Sequence, residues 1–485
     1  MTPSSASLSL GEQALKRSDF AEAEIFFRRA VAENPQSVEA VRGLGYALFQ
    51  RGYLPEALSI LEEVVRRAPA DLLARLLIGR LCLRLQEPAA AEKHFQRILK
   101  KMPSSESALS GMIGVVLAQN KSDEARRLAK RIVALNPNSE VARLAAATVA
   151  ERLRDYDEAH VHFQNLVKLF PSDGKHHYHY SRSLLRRGEF MEGWREYEFR
   201  FATGKIAIPA MSSPRWTGQP VNVLLLLAEQ GLGDTLQFSR FIPRLKGLAQ
   251  KVVMACQPSL SALLARSFQV ETIDLAAARW PEHDAHLPLL SLPHVLGLGE
   301  NVIDPIDRCF AVDSERRNDW ARRLALSPDR VNVGVVHSSS VAHETEQYPQ
   351  SRRSCVLTDL DPLATLENMN FFNLCMGMSG SAQGSLAQKW RDLSTQIRDF
   401  DDTTAIVDLL DVLVTVDTSA THVGGGLGKP VALLLPYSAD WRWMGDADRT
   451  SWYPSVRLFR QDAPGDWRGA VHRVRSFLEA MNARS

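Results

Sequence analysis

The chain has 485 residues, 45% of them hydrophobic, and its 58 basic and 56 acidic side chains give a formal net charge of +2. This length predicts two to four domains with sizeable cores, and the balanced charge gives no general attraction to nucleic acid or to a membrane surface. The five cysteines are scattered without CxxC spacing, which argues against a disulfide framework or a zinc site. A signal-peptide pattern and an apolar run of the roughly 20 residues that a membrane helix needs are both missing, so we expect a cytoplasmic protein.

Residues 4 to about 200 repeat with a period of 34 residues. Prolines hold one register of this period, at Pro35, Pro69, Pro103, Pro137 and Pro171. Small residues hold a second register, at Ala23, Ala57, Ala91, Ala125, Ala159 and Gly193. Small residues where helices cross, with a proline after the second helix of each pair, are typical of tetratricopeptide repeats. We therefore expect an α-solenoid over residues 1–202 whose concave face binds a protein; a scaffold or an oligomerisation spacer is the alternative.

A sixth, partial unit at residues 175–201 keeps the helix pattern but lacks the final proline. We expect this unit to cap the array and to join it to the part that follows. Histidines are frequent in this region, at His160, His162, His176, His177 and His179. Cysteine or acidic ligands at zinc spacing do not accompany them, so we interpret them as surface and inter-helix residues and expect no metal.

Residues 203–220 are dense in proline, glycine and serine and show no periodicity, which is typical of a linker. An apolar strand, a glycine loop at residues 229–234 and a helix at residues 235–245 follow. This sequence of elements begins a Rossmann-like half over residues 221–328. Asp234 lies at the start of the helix, where an aspartate serves either as a helix cap or as a general base in a cleft.

A second Rossmann-like half is predicted over residues 329–485. Its most informative stretch is at residues 411–437, where two apolar β-branched runs, Val412–Val416 and Val431–Leu435, bracket a segment of small residues. Such runs are typical of strands that are buried on both faces of a parallel sheet. Two successive halves imply two Rossmann-like domains that face a cleft, with an amphipathic helix at residues 467–481 to close the architecture.

The segment between these two runs predicts a helix start. Asp417, Thr418 and Ser419 have short side chains that accept hydrogen bonds from the N–H groups of a first helical turn. A helix start at the carboxyl end of a parallel strand is also the place where α/β folds hold phosphates. The glycines at positions 424–426 allow another backbone or a ligand to approach closely. An ordinary βαβ unit without a ligand is the alternative interpretation.

Four segments carry a resemblance to a known family: AEQGLGDTLQF, HLPLLSLP, VDTSATHVGGGLGKPVALLLPYSADWRWM and SWYPSVRLFRQ. Together they resemble the bacterial tetratricopeptide-repeat glycosyltransferases, a group similar to the ADP-heptose:lipopolysaccharide heptosyltransferases of the glycosyltransferase 9 family. The resemblance implies a GT-B fold of two Rossmann-like domains. The nucleotide sugar would bind mainly on the C-terminal domain and the acceptor on the N-terminal one, without a metal or other cofactor. The repeats would recruit a protein acceptor, of which flagellin is an example.

The resemblance also implies roles for individual residues. Asp234 lies in a Gly-Asp loop like the one that carries the proposed base of the heptosyltransferases, and residues 417–422 match a D-T-x-x-x-H motif that would cradle the donor phosphate. The candidate catalytic residues are therefore Asp234 and His343. The candidate nucleotide-sugar-binding residues are Gln230, Gly231, Gly233, Arg352, Arg353, Asp417, Thr418, Ser419, His422 and Tyr437. The aromatic residues at 441 and 443 would either stack on a base or sugar or pack in the core.

This sequence also departs from the family pattern. After the predicted strand at residues 331–336 the family has a Trp-Ala-Gly segment, whereas this chain has His337 and two serines. On the next strand the family has a lysine, and this chain has Met376 at that position. A cation near a diphosphate leaving group stabilises the charge that develops there. Either Arg352 or Arg353 replaces that cation, or the donor carries less charge, as a CMP-linked sugar does, or the enzyme is impaired.

The leading hypothesis is a metal-independent glycosyltransferase that moves a sugar from a nucleotide sugar to a protein hydroxyl. A transferase that acts on a glycan acceptor is a first alternative. A second is a non-catalytic interaction protein, whose repeats bind partners while the GT-B part is a degenerate scaffold. The sequence identifies neither the sugar, nor the acceptor, nor the stereochemical outcome.

Overall fold

Residues 3–197 form twelve α-helices, most of them 13 or 14 residues long and joined by short turns. They are α1 (Pro3–Lys16), α2 (Phe20–Glu33), α3 (Val38–Arg51), α4 (Leu54–Arg67), α5 (Leu72–Arg84), α6 (Pro88–Lys101), α7 (Glu106–Ala118), α8 (Ser122–Leu135), α9 (Glu140–Arg152), α10 (Tyr156–Leu169), α11 (Gly174–Arg186) and α12 (Phe190–Tyr197). The computed structural model describes residues 3–204, 206, 208–277, 279–299, 308–339, 353–376, 384–445 and 447–483.

The packing of the helices follows the repeat pattern of the sequence. Phe27 and Phe95 are almost fully buried, and so are Ala23 and Ala91, the small residues that precede them by four positions. A Cβ on Gly79 or Gly111 would lie 2.7 or 2.4 Å from the ring of Phe95, so these helices cross too closely for a side chain. Helix caps hold the same period: the side chains of Ser37, Asp71, Ser105 and Ser139 each accept a backbone N–H three residues later. The predicted tetratricopeptide solenoid is confirmed for these helices.

The chain divides into two compact units, and the boundary between them, at His162 and Phe163, lies inside the predicted solenoid rather than at residue 202. The second unit includes the last helix pair because α12 carries large aromatic side chains. Trp194 and Tyr197 pack edge-on against Trp441, with ring centroids 5.7 and 6.2 Å apart. The partial sixth repeat is therefore part of the core of the second unit.

The second unit contains two parallel sheets. The elements around the first sheet are β1 (Val221–Leu227), α13 (Leu232–Ser239), β2 (Ala249–Cys256), α14 (Pro258–Phe268), β3 (Glu271–Asp274), β4 (Ala285–Pro288) and α15 (Leu292–Val295). The next helix, α16 (Ser314–Leu324), packs against a helix of the second sheet. The strands pair in the order β3-β2-β1-β4. The predicted linker packs against the first sheet at Trp216. This residue is buried, and its backbone N–H donates to the carbonyl of His286 in β4.

Among the described residues, the second sheet has six strands. Its elements are β5 (Val331–Val336), β6 (Met369–Asn373), β7 (Trp390–Asp392), α17 (Phe400–Leu409), β8 (Val412–Val416), α18 (Ser419–Gly426), β9 (Val431–Leu435), β10 (Val456–Arg460) and α19 (Arg468–Asn482). Short 3₁₀ helices occupy Glu198–Thr203, Ile242–Leu245, Leu289–Ser291, Leu357–Thr365 and Trp441–Trp443. The strands pair in the order β10-β9-β8-β5-β6-β7.

Both strand orders are those of doubly wound nucleotide-binding sheets, 3-2-1-4 in the first and 3-2-1-4-5-6 in the second when each sheet is counted from its own first strand. The order reverses between β1 and β4 in the first sheet and between β5 and β8 in the second. In sheets of this kind ligands bind outside the carboxyl ends of the strands at the point of reversal. Among the helices that the structure describes, none is long and apolar enough to cross a membrane.

Candidate functional site

Helix α18 begins at the carboxyl end of β8, at the reversal point of the six-stranded sheet. Thr418 is the N-cap residue in extended conformation, but its side chain makes no capping hydrogen bond. The predicted side-chain cap is therefore wrong at this residue, because the hydroxyl of Thr418 lies 3.2 Å from that of Thr415 instead. The N–H of Thr421 donates to the carbonyl of Thr418 over 3.0 Å. Within the described residues, no cap side chain takes up the N–H groups of Ser419 and Ala420, and N–H groups at such a helix start can bind an acceptor such as a phosphate oxygen.

Asp417 directly precedes this helix start and is almost fully buried. Burial raises the pKa of its carboxyl group, while the Arg353 guanidinium opposes that rise. Arg353 Nη1 lies 3.7 Å from Asp417 Oδ2, and the Arg353 side chain is partly exposed. The predicted site residues Asp417 and Arg353 thus lie together at the end of β8.

His422 lies one turn into α18 and is buried. Its Nδ1 lies 3.0 Å from the hydroxyl of Tyr453, and its ring stacks on Trp443 with centroids 5.8 Å apart. Burial, reinforced by the positive charges of Arg442 and Arg240, lowers the pKa of His422 to about 3. The imidazole is therefore neutral at physiological pH and adds no positive charge to the site.

The three glycines of α18 make room for protein side chains. A Cβ on Gly424 would lie 2.7 Å from Val431, and a Cβ on Gly426 would lie 2.3 Å from the ring of Phe310. Gly425 is similarly close to Tyr453. The neighbours that the structure shows are therefore side chains, whereas the prediction named another backbone or a ligand.

The loop after β1 brings the other predicted residues to the same place. Gln230 has a positive φ of 61°, and its side-chain amide donates to the hydroxyl of Tyr197 over 3.2 Å. A Cβ on Gly233 would lie 3.1 Å from Cδ2 of His422, so the start of α13 and the start of α18 are in contact. The loop Gly231–Asp234 of the first sheet therefore faces the helix start of the second.

Asp234 lies in the first turn of α13, where both predicted roles remain possible for its carboxylate. Its Oδ2 accepts the N–H of Gly231 over 2.9 Å, which is half of a capping box. Its Oδ1 accepts from Nη2 of Arg442 over 2.5 Å. Arg442 also donates to Gln237 Oε1 over 2.6 Å and to Asp440 Oδ1 over 2.9 Å. Arg442 lies 208 positions after Asp234, and no local pattern of the sequence indicates their pairing.

Asp440 and Arg442 form the charged centre of this site. The Arg442 guanidinium, with further positive charge from Arg182 and Arg353, offsets the effect of burial and holds the pKa of the Asp440 carboxyl group well below its usual range. The carboxylates of Asp440 and Asp234 keep the pKa of Arg442 above its usual value despite the burial of the guanidinium. Arg182 comes from α11, and its Nη2 lies 3.9 Å from Asp440 Oδ2.

The aromatic residues of this turn pack in the core. Trp441 is 2% exposed and Trp443 is 0% exposed, so neither ring presents a face to a ligand. Tyr437 is partly exposed, and its backbone N–H donates to the side chain of Gln461 over 3.0 Å. Lys429, on the turn after α18, donates to the carbonyl of Asp408 over 3.0 Å and is partly buried.

The reversal point of the first sheet is filled by the protein itself. Arg200, which is fully buried, donates two hydrogen bonds to Glu229, of 3.0 and 2.6 Å, and one of 2.7 Å to Ser291. Glu229 also accepts the N–H of Leu290 over 3.2 Å. Sequence reasoning missed Arg200 and Glu229, because no local pattern links the end of a repeat to a loop of the sheet. A depression of about 470 Å³ at Pro220 and Gly247 lies at the opposite, amino edge of the strands, where parallel sheets do not bind ligands.

Two predicted residues, His343 and Arg352, lie outside the described residues. Met376, at the position where the family has a lysine, is 43% exposed beyond the end of β6. His337 is buried, with its Nδ1 3.3 Å from the carbonyl of Cys355 and its ring stacked on Trp390. His337, which departs from the family pattern, therefore packs in the core.

Comparison with known proteins identifies the repeats. Models of the tetratricopeptide repeat match residues 14–81, 54–104 and 82–148, and another model of the same description matches residues 144–192. Protein FlbA of Caulobacter vibrioides is 21% identical over 542 aligned positions, which cover 97% of this chain and 89% of FlbA. The N-terminal part of the chain thus consists of tetratricopeptide repeats, a type of structure that binds other proteins.

Solved structures of other repeat proteins resemble part of the chain. TTC0263, a thermophilic TPR protein of Thermus thermophilus, is 23% identical over 38% of this chain and 99% of its own, with a TM-score of 0.36. A tetratricopeptide repeat protein from Parabacteroides merdae is 19% identical over 41% of this chain and 78% of its own, with a TM-score of 0.33.

Proposed function

We propose that this protein is a GT-B glycosyltransferase that moves a sugar from a nucleotide sugar to a hydroxyl group of a protein recruited by the repeats. The observation that carries the proposal is the start of α18. It lies at the reversal point of a six-stranded parallel sheet, its N-cap Thr418 offers no side-chain cap, and it faces the Gly231–Asp234 loop of a second parallel sheet.

The donor nucleotide belongs to the second sheet in this proposal. The aligned peptide dipoles of a helix place about half a positive charge at its start, which favours a phosphate there. Arg353, beside Asp417, adds a cation at the same edge. The first sheet is the weaker candidate for the nucleotide, since Arg200 and Glu229 already fill its reversal point. In this proposal the first sheet therefore binds the acceptor.

The transfer needs positioning and charge stabilisation. The acceptor hydroxyl oxygen attacks the anomeric carbon, the bond from that carbon to the donor phosphate oxygen breaks, and its electron pair leaves with the phosphate. The hydroxyl proton passes to Asp234, whose two oxygens each keep a lone pair beyond the bonds to Gly231 and Arg442. The N–H groups of α18 stabilise the charge that develops on the leaving phosphate, and the scheme uses no metal or cofactor.

The rest of the chain supports a protein acceptor and a cytoplasmic location. Repeats that bind proteins favour a protein acceptor over a free glycan, and flagellin is the acceptor that the family resemblance implies. The described cysteines, Cys82, Cys256, Cys309, Cys355 and Cys375, are all free thiols. Unpaired buried thiols are typical of reducing compartments, which supports a cytoplasmic site for the reaction.

A non-catalytic interaction scaffold is the second candidate. The exposed Met376 in place of a site cation favours it, and so does the neutral, enclosed His422. In a scaffold the pairing of Asp234 with Arg442 would serve stability alone. The two candidates differ in whether the second unit binds a nucleotide.

Nucleotide binding at α18 is the test. Thermal unfolding of the full chain is measured with UDP, GDP, ADP and CMP, and we expect one of them to stabilise the protein. Ser419→Pro removes one N–H from the first turn, at a helix position where proline is tolerated, and should abolish that stabilisation. Ser314→Pro, at the first position of α16 and also after an extended residue, is the matched control and should keep it. A folded protein that none of the four nucleotides stabilises contradicts the proposal and supports the scaffold.

A further inference from the structure

Arg442 connects the two sheets at the candidate site. It belongs to the turn after β9, yet its guanidinium binds two side chains of α13, Asp234 over 2.5 Å and Gln237 over 2.6 Å. The Arg442 side chain is 11% exposed, so these bonds form largely away from water. Charge-assisted hydrogen bonds of this kind are strong and directional.

The guanidinium is itself held in one orientation. Nη1 of Arg442 donates to Asp440 over 2.9 Å, and Cζ of Arg442 lies 4.5 Å from the ring centroid of Trp441. A guanidinium is planar, with donors in a fixed fork, so two anchored edges fix the direction of the third. Gln237 and Asp440 anchor Arg442, and the remaining edge points to Asp234.

The anchors and the third partner differ in exposure. Gln237 is fully buried and the Asp440 side chain is 11% exposed, whereas the Asp234 side chain is 21% exposed. Asp234 is therefore the partner that a substrate can reach, and the two buried acceptors are the fixed part of the arrangement. Asp440 also shares the positive charge of Arg442, which leaves Asp234 only partly neutralised.

We propose that Arg442 is a positioning residue, which holds the Asp234 carboxylate in the orientation that takes the acceptor proton, and holds it only while the two sheets are docked. The inference rests on the proposed function, since it gives Asp234 the role of base. It adds that the base of one half is aligned by a cation of the other, so that donor and acceptor halves must be together before the proton can move.

A second arginine between the same halves provides a matched control. Arg266 of α14 pairs with Asp401 of α17, and its Nε donates to the carbonyl of Ala311 over 3.0 Å. Arg266→Gln removes a guanidinium that joins the first sheet's helices to the second's without touching Asp234. A loss of turnover caused by general loosening of the two halves should appear in this variant as well.

The experiment measures nucleotide release to water from UDP-N-acetylglucosamine, GDP-mannose, ADP-glucose and CMP-N-acetylneuraminate by the full chain. For the sugar that is turned over, Arg442→Gln should lower the maximal rate about 100-fold, the lower end of what a general base supplies. Nucleotide affinity should stay within about threefold, since Arg442 positions the base and not the donor. Arg442→Lys should recover part of the rate, and Arg266→Gln should keep it.

A double variant separates positioning from structure. In the Asp234→Asn background, Arg442→Gln should cost no further rate, because the carboxylate that it holds is gone. An additive loss, an equal loss in Arg266→Gln, or a rate in Arg442→Gln close to that of the unaltered protein each overturns the inference while the proposed function stands. An unaltered protein that binds no nucleotide and releases none overturns both.

Discussion

Gly425 lies against the ring of Tyr453, so closely that a Cβ at position 425 would come within 2.5 Å of Tyr453 Cγ. The hydroxyl of the same tyrosine lies 3.0 Å from Nδ1 of His422. Tyr453 is 2% exposed, so its ring is enclosed by the protein. The position of α18, and with it the helix start at the candidate site, is therefore fixed by a contact that only glycine allows.

Gly425→Ala should destabilise the second unit by about 1–3 kcal/mol, because the added methyl group overpacks the contact with Tyr453. All nine tryptophans follow Phe163 in the sequence, so tryptophan fluorescence during urea unfolding reports on the second unit. Gly445→Ala, where a Cβ would meet no atom within 4 Å, is the control and should unfold with an almost unchanged midpoint. Equal midpoints for the two variants would show that α18 is free to shift.

His422 should make stability depend on pH. Its pKa is about 3 in the folded chain, against about 6.5 for an ordinary histidine, because burial penalises the charged form. Between these values the unfolded chain binds a proton that the folded chain does not, so the free energy of unfolding falls as the pH is lowered from 6.5 towards 3. Above pH 6.5 this contribution is absent.

In the variant His422→Gln, the loss of unfolding free energy between pH 7 and pH 5 should be smaller than in the unaltered protein by about 2 kcal/mol. Urea unfolding at the two pH values, followed by tryptophan fluorescence, measures the difference. The exposed His472→Gln is the control and should lose as much as the unaltered protein. Equal losses in all three proteins would mean that His422 titrates normally when folded.

Trp194 should contribute more to the stability of the second unit than its place in a repeat helix suggests. Its ring is 1% exposed and packs edge-on against Phe238 and Trp441. Trp194→Ala should cost about 3–5 kcal/mol in the fluorescence-detected transition, as expected for an aromatic side chain removed from a core. Met191→Ala, on the same helix but 59% exposed, should change it by less than about 1 kcal/mol. A larger loss of stability in Met191→Ala than in Trp194→Ala would mean that Trp194 is not part of this core.

The cysteines should be unreactive in the folded protein. Burial raises the pKa of Cys82 and Cys309 to about 11 and that of Cys256 to about 12, and it raises the pKa of Cys355 and Cys375 as well. Because the thiolate is the reactive form, Ellman's reagent at pH 8 should modify them slowly until denaturant is added. Cys309, which is partly exposed, should react first. Rapid reaction of one full equivalent in the folded state would contradict this expectation.

The parts of the fold that were predictable from the sequence are those with a local cause. The runs at Val412–Val416 and Val431–Leu435 gave strands with the predicted bounds, since strands buried on both faces are continuously apolar. The repeats were predictable because each unit packs in the same way, and the caps at Ser37 and Asp71 hold the same period. The 3₁₀ helix Leu357–Thr365, with Pro362 inside it, has no such local pattern.

The candidate site was predictable only in part. The motif residues His422 and Gly233 come to the same place, because α13 and α18, which follow β1 and β8, begin against each other. The predicted side-chain cap at Thr418 does not form, because the Thr418 hydroxyl lies 3.2 Å from that of Thr415 in the preceding strand. The pairing of Asp234 with Arg442 joins residues that are distant in the sequence, and no periodicity or propensity indicates such a contact. The roles of these residues remain predictions.

Arg200 has a consequence for how a chain of this kind changes in evolution. A fully buried guanidinium with two bonds to Glu229 ties the end of the last repeat to the first loop of the sheet, and separating them would leave a charge buried without its partner. The repeats and the α/β part are therefore not interchangeable modules that can be exchanged at residue 202. Gains and losses of whole 34-residue units should be tolerated before Phe163 and selected against after it.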